Sequence, residues 1–100
     1  MPSYSVLAVT PITNDWQARY IEEASAIVAA YGGKYIARTS NHETLEGDGE
    51  EAALRIIIAW PSTQVAKTFM ADPAYLPLLK ARTQGSVSHH VLIEGMDDLA

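Results

Sequence analysis

Arg38, His42, Arg55 and His90 are the side chains of this 100-residue chain best suited to hold or activate a small acid. An arginine presents a planar, permanently charged fork that fits a carboxylate or an enolate. A histidine titrates near neutral pH and can take or return a proton. Brought together in one cleft, such groups would bind an acidic or enolisable molecule, with Arg38 on the anion and His42 or His90 moving the proton. The structural alternative makes Arg38 one half of an ion pair, since ion pairs also gather charged groups. Glu46 cannot be that partner within one straight strand, because eight residues at roughly 3.3 Å each place it about 26 Å away.

Other chemistries find little support. There is no cysteine, so disulfides, thiolate catalysis and cysteine-held metals are excluded. The three histidines show no metal-ligand spacing. His89 and His90 are adjacent and would point to opposite faces of a strand. Neither a metal nor another cofactor is expected. Ser62 reads as a helix cap rather than a nucleophile. Gly32-Gly33 ends a helix rather than opening one, so it is no phosphate loop. A net charge of -5 argues against nucleic acid, which needs a basic face. No apolar run approaches the roughly 20 residues of a membrane helix. Met1-Pro2-Ser3-Tyr4 lacks the basic start and apolar stretch of a signal peptide, so the expected location is cytoplasmic.

The elements that must position these residues follow from periodicity. Residues 1–100 read as one domain, and a hydrophobic content of 48% suffices for a core. Tyr4 to Thr10 is a strand stopped by Pro11. Asn14, with Gln17 three residues on, has the spacing of a capping box. From Asp15 to Tyr31 the apolar residues Trp16, Tyr20, Ile21, Ala24, Ile27, Val28 and Tyr31 form one helical stripe. Gly32-Gly33 ends it. Lys34 to Leu45 reads as a long second strand, and Gly47-Asp48-Gly49-Glu50-Glu51 as the turn into a third, Leu54 to Trp60. Pro61-Ser62 opens a helix, Asp72-Pro73 restarts it to about Arg82, and Gly85 breaks it. Ser86 to Glu94 is a fourth strand.

The order βαββαβ, with right-handed crossovers, gives an α+β ferredoxin-like sandwich: a four-stranded antiparallel sheet with its helices on one face. The third strand, L-R-I-I-I-A-W, is apolar at nearly every position, whereas a strand half open to water should alternate. It asks for cover on both faces. Helices supply one cover, and a second copy of the chain, packed sheet to sheet, supplies the other. A homodimer through the open sheet face is therefore expected. Strand parity groups Leu54, Ile56, Ile58 and Trp60 on one face and Arg55, Ile57 and Ala59 on the other. Placing every polar-bearing set on the dimer side lines the lumen with Arg38, His42, Arg55, Ser88 and His90 among Leu7, Val9, Ile57 and Leu92. A single bulge would reverse that phase.

From Tyr31 onward the chain resembles a specific family. Tyr31-Gly32-Gly33-Lys34-Tyr35-Ile36-Ala37-Arg38 resembles its Y-G-G-K-Y-hydrophobic-x-R segment, and Leu45-Glu46-Gly47 its L-E-G. Trp60-Pro61-Ser62 stands at its aromatic-Pro-Ser. Asp72-Pro73-Ala74-Tyr75, then Leu78 and Arg82, resemble its S-P-x-Y-x-x-L-x-x-x-R. The family is the domain-of-unknown-function 1330 family of small bacterial proteins, within the dimeric α/β-barrel superfamily. This chain departs from it at Arg38-Thr39-Ser40, where Arg-Gly-Gly is frequent, and at Phe69, where tyrosine is frequent. The resemblance implies the fold and the dimer but no agreed reaction. Its superfamily includes cofactor-free monooxygenases, haem-degrading enzymes, lactone isomerases and stress-response proteins. The expectation is a homodimer binding a small acidic or enolisable molecule in the barrel lumen. The alternatives are a cofactor-free monooxygenase- or isomerase-like enzyme using Arg38 and a histidine, and a non-catalytic assembly or stress-related dimer.

Overall fold

The computed structural model describes residues 1–48 and 52–100. Its elements are β1 (Ser3–Pro11), α1 (Gln17–Ala30), β2 (Lys34–Thr39), β3 (Leu54–Trp60), α2 (Thr63–Met70), α3 (Leu76–Gly85) and β4 (Ser86–Glu94). The four strands form one antiparallel sheet in the order β2-β3-β1-β4. This is the ferredoxin-like α+β arrangement, with the second helical connection split in two.

Local chemistry explains most boundaries. Gly32 ends α1 with a φ of 76°, a conformation that costs a residue without Cβ little. Its N–H reaches Ala29 O, and Gly33 N–H reaches Val28 O. Ser62 Oγ accepts from Val65 N–H at 3.2 Å and caps α2. Two expected starts shift. The capping box at Asn14 does not form, because Asn14 Oδ1 accepts from the Gln17 side-chain amide instead, and α1 begins at Gln17. The Trp16 indole bonds Thr13 O and Gly85 O, which fixes the entry turn. Asp72 holds a turn rather than the helix itself: its Oδ1 accepts from Ala74 N–H at 2.7 Å, and α3 starts at Leu76. β2 is shorter than expected, since Thr39 already pairs with Arg55 and β3 begins one residue earlier, at Leu54. Of the expected turn from Gly47, the part from Gly49 to Glu51 lies outside the described residues.

The two sheet faces follow from the register. On the helix side one row crosses all four strands as Arg38, Ile56, Leu7 and His90. The next row runs Tyr35, Ile58, Ser5 and Leu92. Leu7, Val9, Ile56, Ile58 and Trp60 are buried there against Ala24, Val28, Phe69, Tyr75 and Leu78. On the open side the rows are Ala37, Ile57, Val6, Val91 and Thr39, Arg55, Ala8, His89. Val87, Val91 and Ile93 are 49–58% exposed on that face.

The placement of several residues therefore differs from the sequence expectation. Arg55 and Ile57 do lie on the open face, opposite Ile56, Ile58 and Trp60. Leu7, Val9, Ser88, His90 and Leu92 face the helices instead, and His89 is the histidine on the open side. Polarity misled because the buried polar groups satisfy one another. Ser5 Oγ accepts from Trp60 Nε1–H at 2.8 Å and bonds His90 Nε2 at 2.8 Å. In β2 the cause is a bulge: the register slips between Tyr35 and Ala37, so Tyr35 and Arg38 share the helix side.

Candidate functional site

The bulge has a direct consequence for Arg38. With Tyr35 and Arg38 on one face, the guanidinium carbon sits 3.9 Å from the centre of the Tyr35 ring. Arg38 Nη1 also donates to Ser25 Oγ on α1 at 2.8 Å. Arg38 thus bridges the edge of the sheet to the first helix, and no acid among the described residues pairs with it.

Beside it, between the sheet and helices α1 and α3, lies a cavity of about 260 Å³. That is just under the roughly 300–1,000 Å³ usual for small-molecule sites. Its floor is aliphatic: Leu7 and Val9 from β1, Leu54, Ile56 and Ile58 from β3. Trp16, at the N-cap of α1, and Gln17, Tyr20 and Ile21 of α1 form one wall. Tyr35 and Arg38 close the β2 side, and Arg82 enters from α3. Arg82 is buried. Its Nε donates to Tyr20 Oη at 3.1 Å and its Nη1 to Ser88 Oγ at 2.7 Å. Tyr20 Oη lies 2.7 Å from Tyr75 Oη. Burial, then the neighbouring Tyr75, pushes the Tyr20 phenol well above the usual tyrosine range, so it stays protonated.

The other candidate residues sit elsewhere. His90 lines a second cavity with Ser5, Met70 and Leu92. Burial, and then the charge of Arg82, lowers its pKa. His42 and Arg55 line a third cavity near the β2–β3 connection. There His42 Nε2–H donates to the carbonyl of Ala52 at 2.9 Å. Arg38 and His90 occupy opposite ends of one row, three strand spacings or about 14 Å apart. Arg38, His42, Arg55 and His90 therefore do not converge on one cleft.

Sequence reasoning passed over Arg82, Tyr20 and Tyr75. A signal existed for one pair: Tyr75 and Arg82 are seven residues apart, two turns of a helix and hence one face. Nothing in the spacing links either to Tyr20, which the α1–α3 packing brings alongside.

Comparison with known proteins agrees with this architecture. The family model for the domain of unknown function DUF1330 matches residues 2–96, and the chain belongs to that family. No curated protein matches. Among solved structures, a protein of unknown function from Rhodopseudomonas palustris is similar with a TM-score of 0.74 at 19% identity, over 96% of this chain and 83% of that one. A dimeric ferredoxin-like protein of unknown function from Jannaschia sp. CCS1 is similar with a TM-score of 0.67 at 12% identity, over 94% and 99% of the two chains. SnoaB, a cofactor-independent oxygenase from Streptomyces nogalater, has a TM-score of 0.59 at 20% identity, over 98% and 96%. At these identities the likeness is one of fold.

Proposed function

We propose that this member of the domain-of-unknown-function 1330 family is a homodimer that binds a small, largely apolar molecule between its sheet and helices. The observation that carries the reading is the cavity itself: about 260 Å³ of space with an aliphatic floor and a few polar groups, Arg38 among them. The dimer rests on the other face. Val6, Ile57 and Val91 lie in one row there, with Val87 and Ile93 exposed nearby. Burying such a side chain is worth roughly 1.5–3 kcal/mol, so a second copy of the same apolar sheet is the economical cover. The dimeric relative from Jannaschia has the same fold and is consistent with that assembly.

Binding is favoured over catalysis because the groups that would move a proton, His42 and His90, line cavities other than the one Arg38 lines. The test is an NMR titration of the labelled protein with 2-naphthamide, a neutral probe, read at the indole N–H of Trp16 on the cavity wall. A saturable shift in the wild type, lost when Val9→Phe fills the cavity, is the expected result. No saturable shift, or one unchanged by Val9→Phe, would sink the reading.

A further inference from the structure

Arg82 is a cation deep in the protein with no aspartate or glutamate bonded to it among the described residues. It is 3% exposed. The hydrogen-bond acceptors around it, Tyr20 Oη and Ser88 Oγ, are neutral hydroxyl oxygens. A guanidinium does not release its proton under these conditions. A buried charge that meets only neutral dipoles is held at a cost, which an opposite charge would relieve. The surroundings repeat the same asymmetry. Twelve aspartates and glutamates outnumber seven lysines and arginines in the chain. The cavity nonetheless carries two arginines, Arg38 and Arg82, and not one aspartate or glutamate among the described residues.

We propose that the cavity takes an organic anion: an apolar body carrying one carboxylate or comparable oxyanion, seated on Arg82. This rests on the cavity being a binding site, as argued above. The apolar body lies against Leu7, Val9, Ile56 and Ile58, and the charge turns toward α3. Tyr20 contributes a donor. Its Oη accepts from Arg82 Nε and lies 2.7 Å from Tyr75 Oη, a bond in which either hydroxyl can donate, so an arriving oxyanion can accept a hydrogen bond from Tyr20 while Tyr75 donates to Tyr20. A protonated phenol and a fixed guanidinium, both on helices packed against the sheet, form a preorganised pair for an oxyanion.

The experiment compares 2-naphthoate with 2-naphthamide, alike in shape and different in charge, by NMR titration read at the Trp16 indole and the arginine Nε–H signals. The carboxylate should bind at least tenfold more tightly than the amide and should move the Arg82 Nε–H signal. Arg82→Met, close in size, should abolish that preference while leaving amide binding. Arg19→Gln, which removes a cation from the surface Arg19–Glu23 pair, should preserve it. Equal affinities for the two probes in the wild type overturn the anion assignment and leave the cavity reading standing. Absence of saturable binding by either probe overturns both. A preference that survives in Arg82→Met shows the charge is read elsewhere. Should Arg82→Met fail to fold, the wild-type ratio and the Arg82 signal decide the matter.

Discussion

Replacing Arg38 with alanine separates a binding role from a structural one, and the structure sets the size of the effect. Arg38 is exposed. It stacks 3.9 Å over Tyr35 and donates one hydrogen bond to Ser25 Oγ. An exposed cation–π contact is worth about 0.5–1 kcal/mol. A hydrogen bond of this kind contributes a net ~1 kcal/mol. The expected loss is therefore about 1–2 kcal/mol at most, or a fall in Tm below about 10 °C for a domain of this size. Membership of a buried ion pair would instead cost roughly 3–5 kcal/mol, because the abandoned partner would keep an uncompensated charge. Urea denaturation of wild type and Arg38→Ala at one fixed protein concentration measures the difference, the fixed concentration removing any mass-action effect of dimerisation. Thermal melts with and without 2-naphthoate then ask about the ligand. The expected outcome is near-native baseline stability and a diminished ligand-induced rise in Tm. A loss above about 3 kcal/mol refutes the exposed-bridge account of Arg38. A ligand-induced rise as large as in the wild type removes Arg38 from the binding site.

Three further predictions follow from the same contacts. Ile57→Glu places a charge in the middle of the open-face row and should yield a monomer by light scattering. Glu23→Lys, which disturbs only the surface pair with Arg19, should leave the dimer intact; a monomeric wild type at micromolar concentration would remove the sheet-to-sheet proposal. Ser5→Ala takes the acceptor from the buried Trp60 indole and should cost about 1–3 kcal/mol in urea denaturation, while a neutral result would mean that Trp60 finds another partner. His90 has its folded-state pKa below the ordinary value of 6.5, first by burial and then by Arg82. The unfolded chain therefore binds its proton at higher pH than the folded one, so stability should fall as pH drops from about 6.5 toward the lowered folded pKa. His90→Gln should flatten that stretch of the stability–pH curve, and an unchanged slope would assign it to other groups.

Particular residues show how much of this was legible beforehand. β3 stands where the sequence places it because it is a dense run of β-branched and apolar residues closed by Pro61, and β4, which mixes Val87, Val91, Leu92 and Ile93 with serines and histidines, is set off by Gly85. The helix-side face of β3 was equally readable, since Leu54, Ile56, Ile58 and Trp60 are apolar without exception. β1 and β4 were not readable in this way. Ser3 and Ser5 look like solvent residues, yet both are buried, and Ser5 serves Trp60 and His90 at once. Pairwise satisfaction of this kind leaves no trace in a one-strand pattern. The bulge at Ile36 was also silent, because no glycine or proline marks it, and it alone decides which way Arg38 points.

One sheet supports both proposed surfaces, and strand alternation keeps them apart. Leu7 and Ile56 help floor the cavity, while Val6 and Ile57, their immediate neighbours in β1 and β3, face the other way. A dimer that covers the open row would therefore brace the two central strands without occupying the ligand space. The separation makes the tests independent. Ile57→Glu changes no residue of the cavity wall, and Val9→Phe changes none of the open row. Loss of probe binding in a monomeric but folded Ile57→Glu protein would show that the cavity needs the second copy to keep its shape, whereas retained binding would show that one chain's sheet and helices suffice.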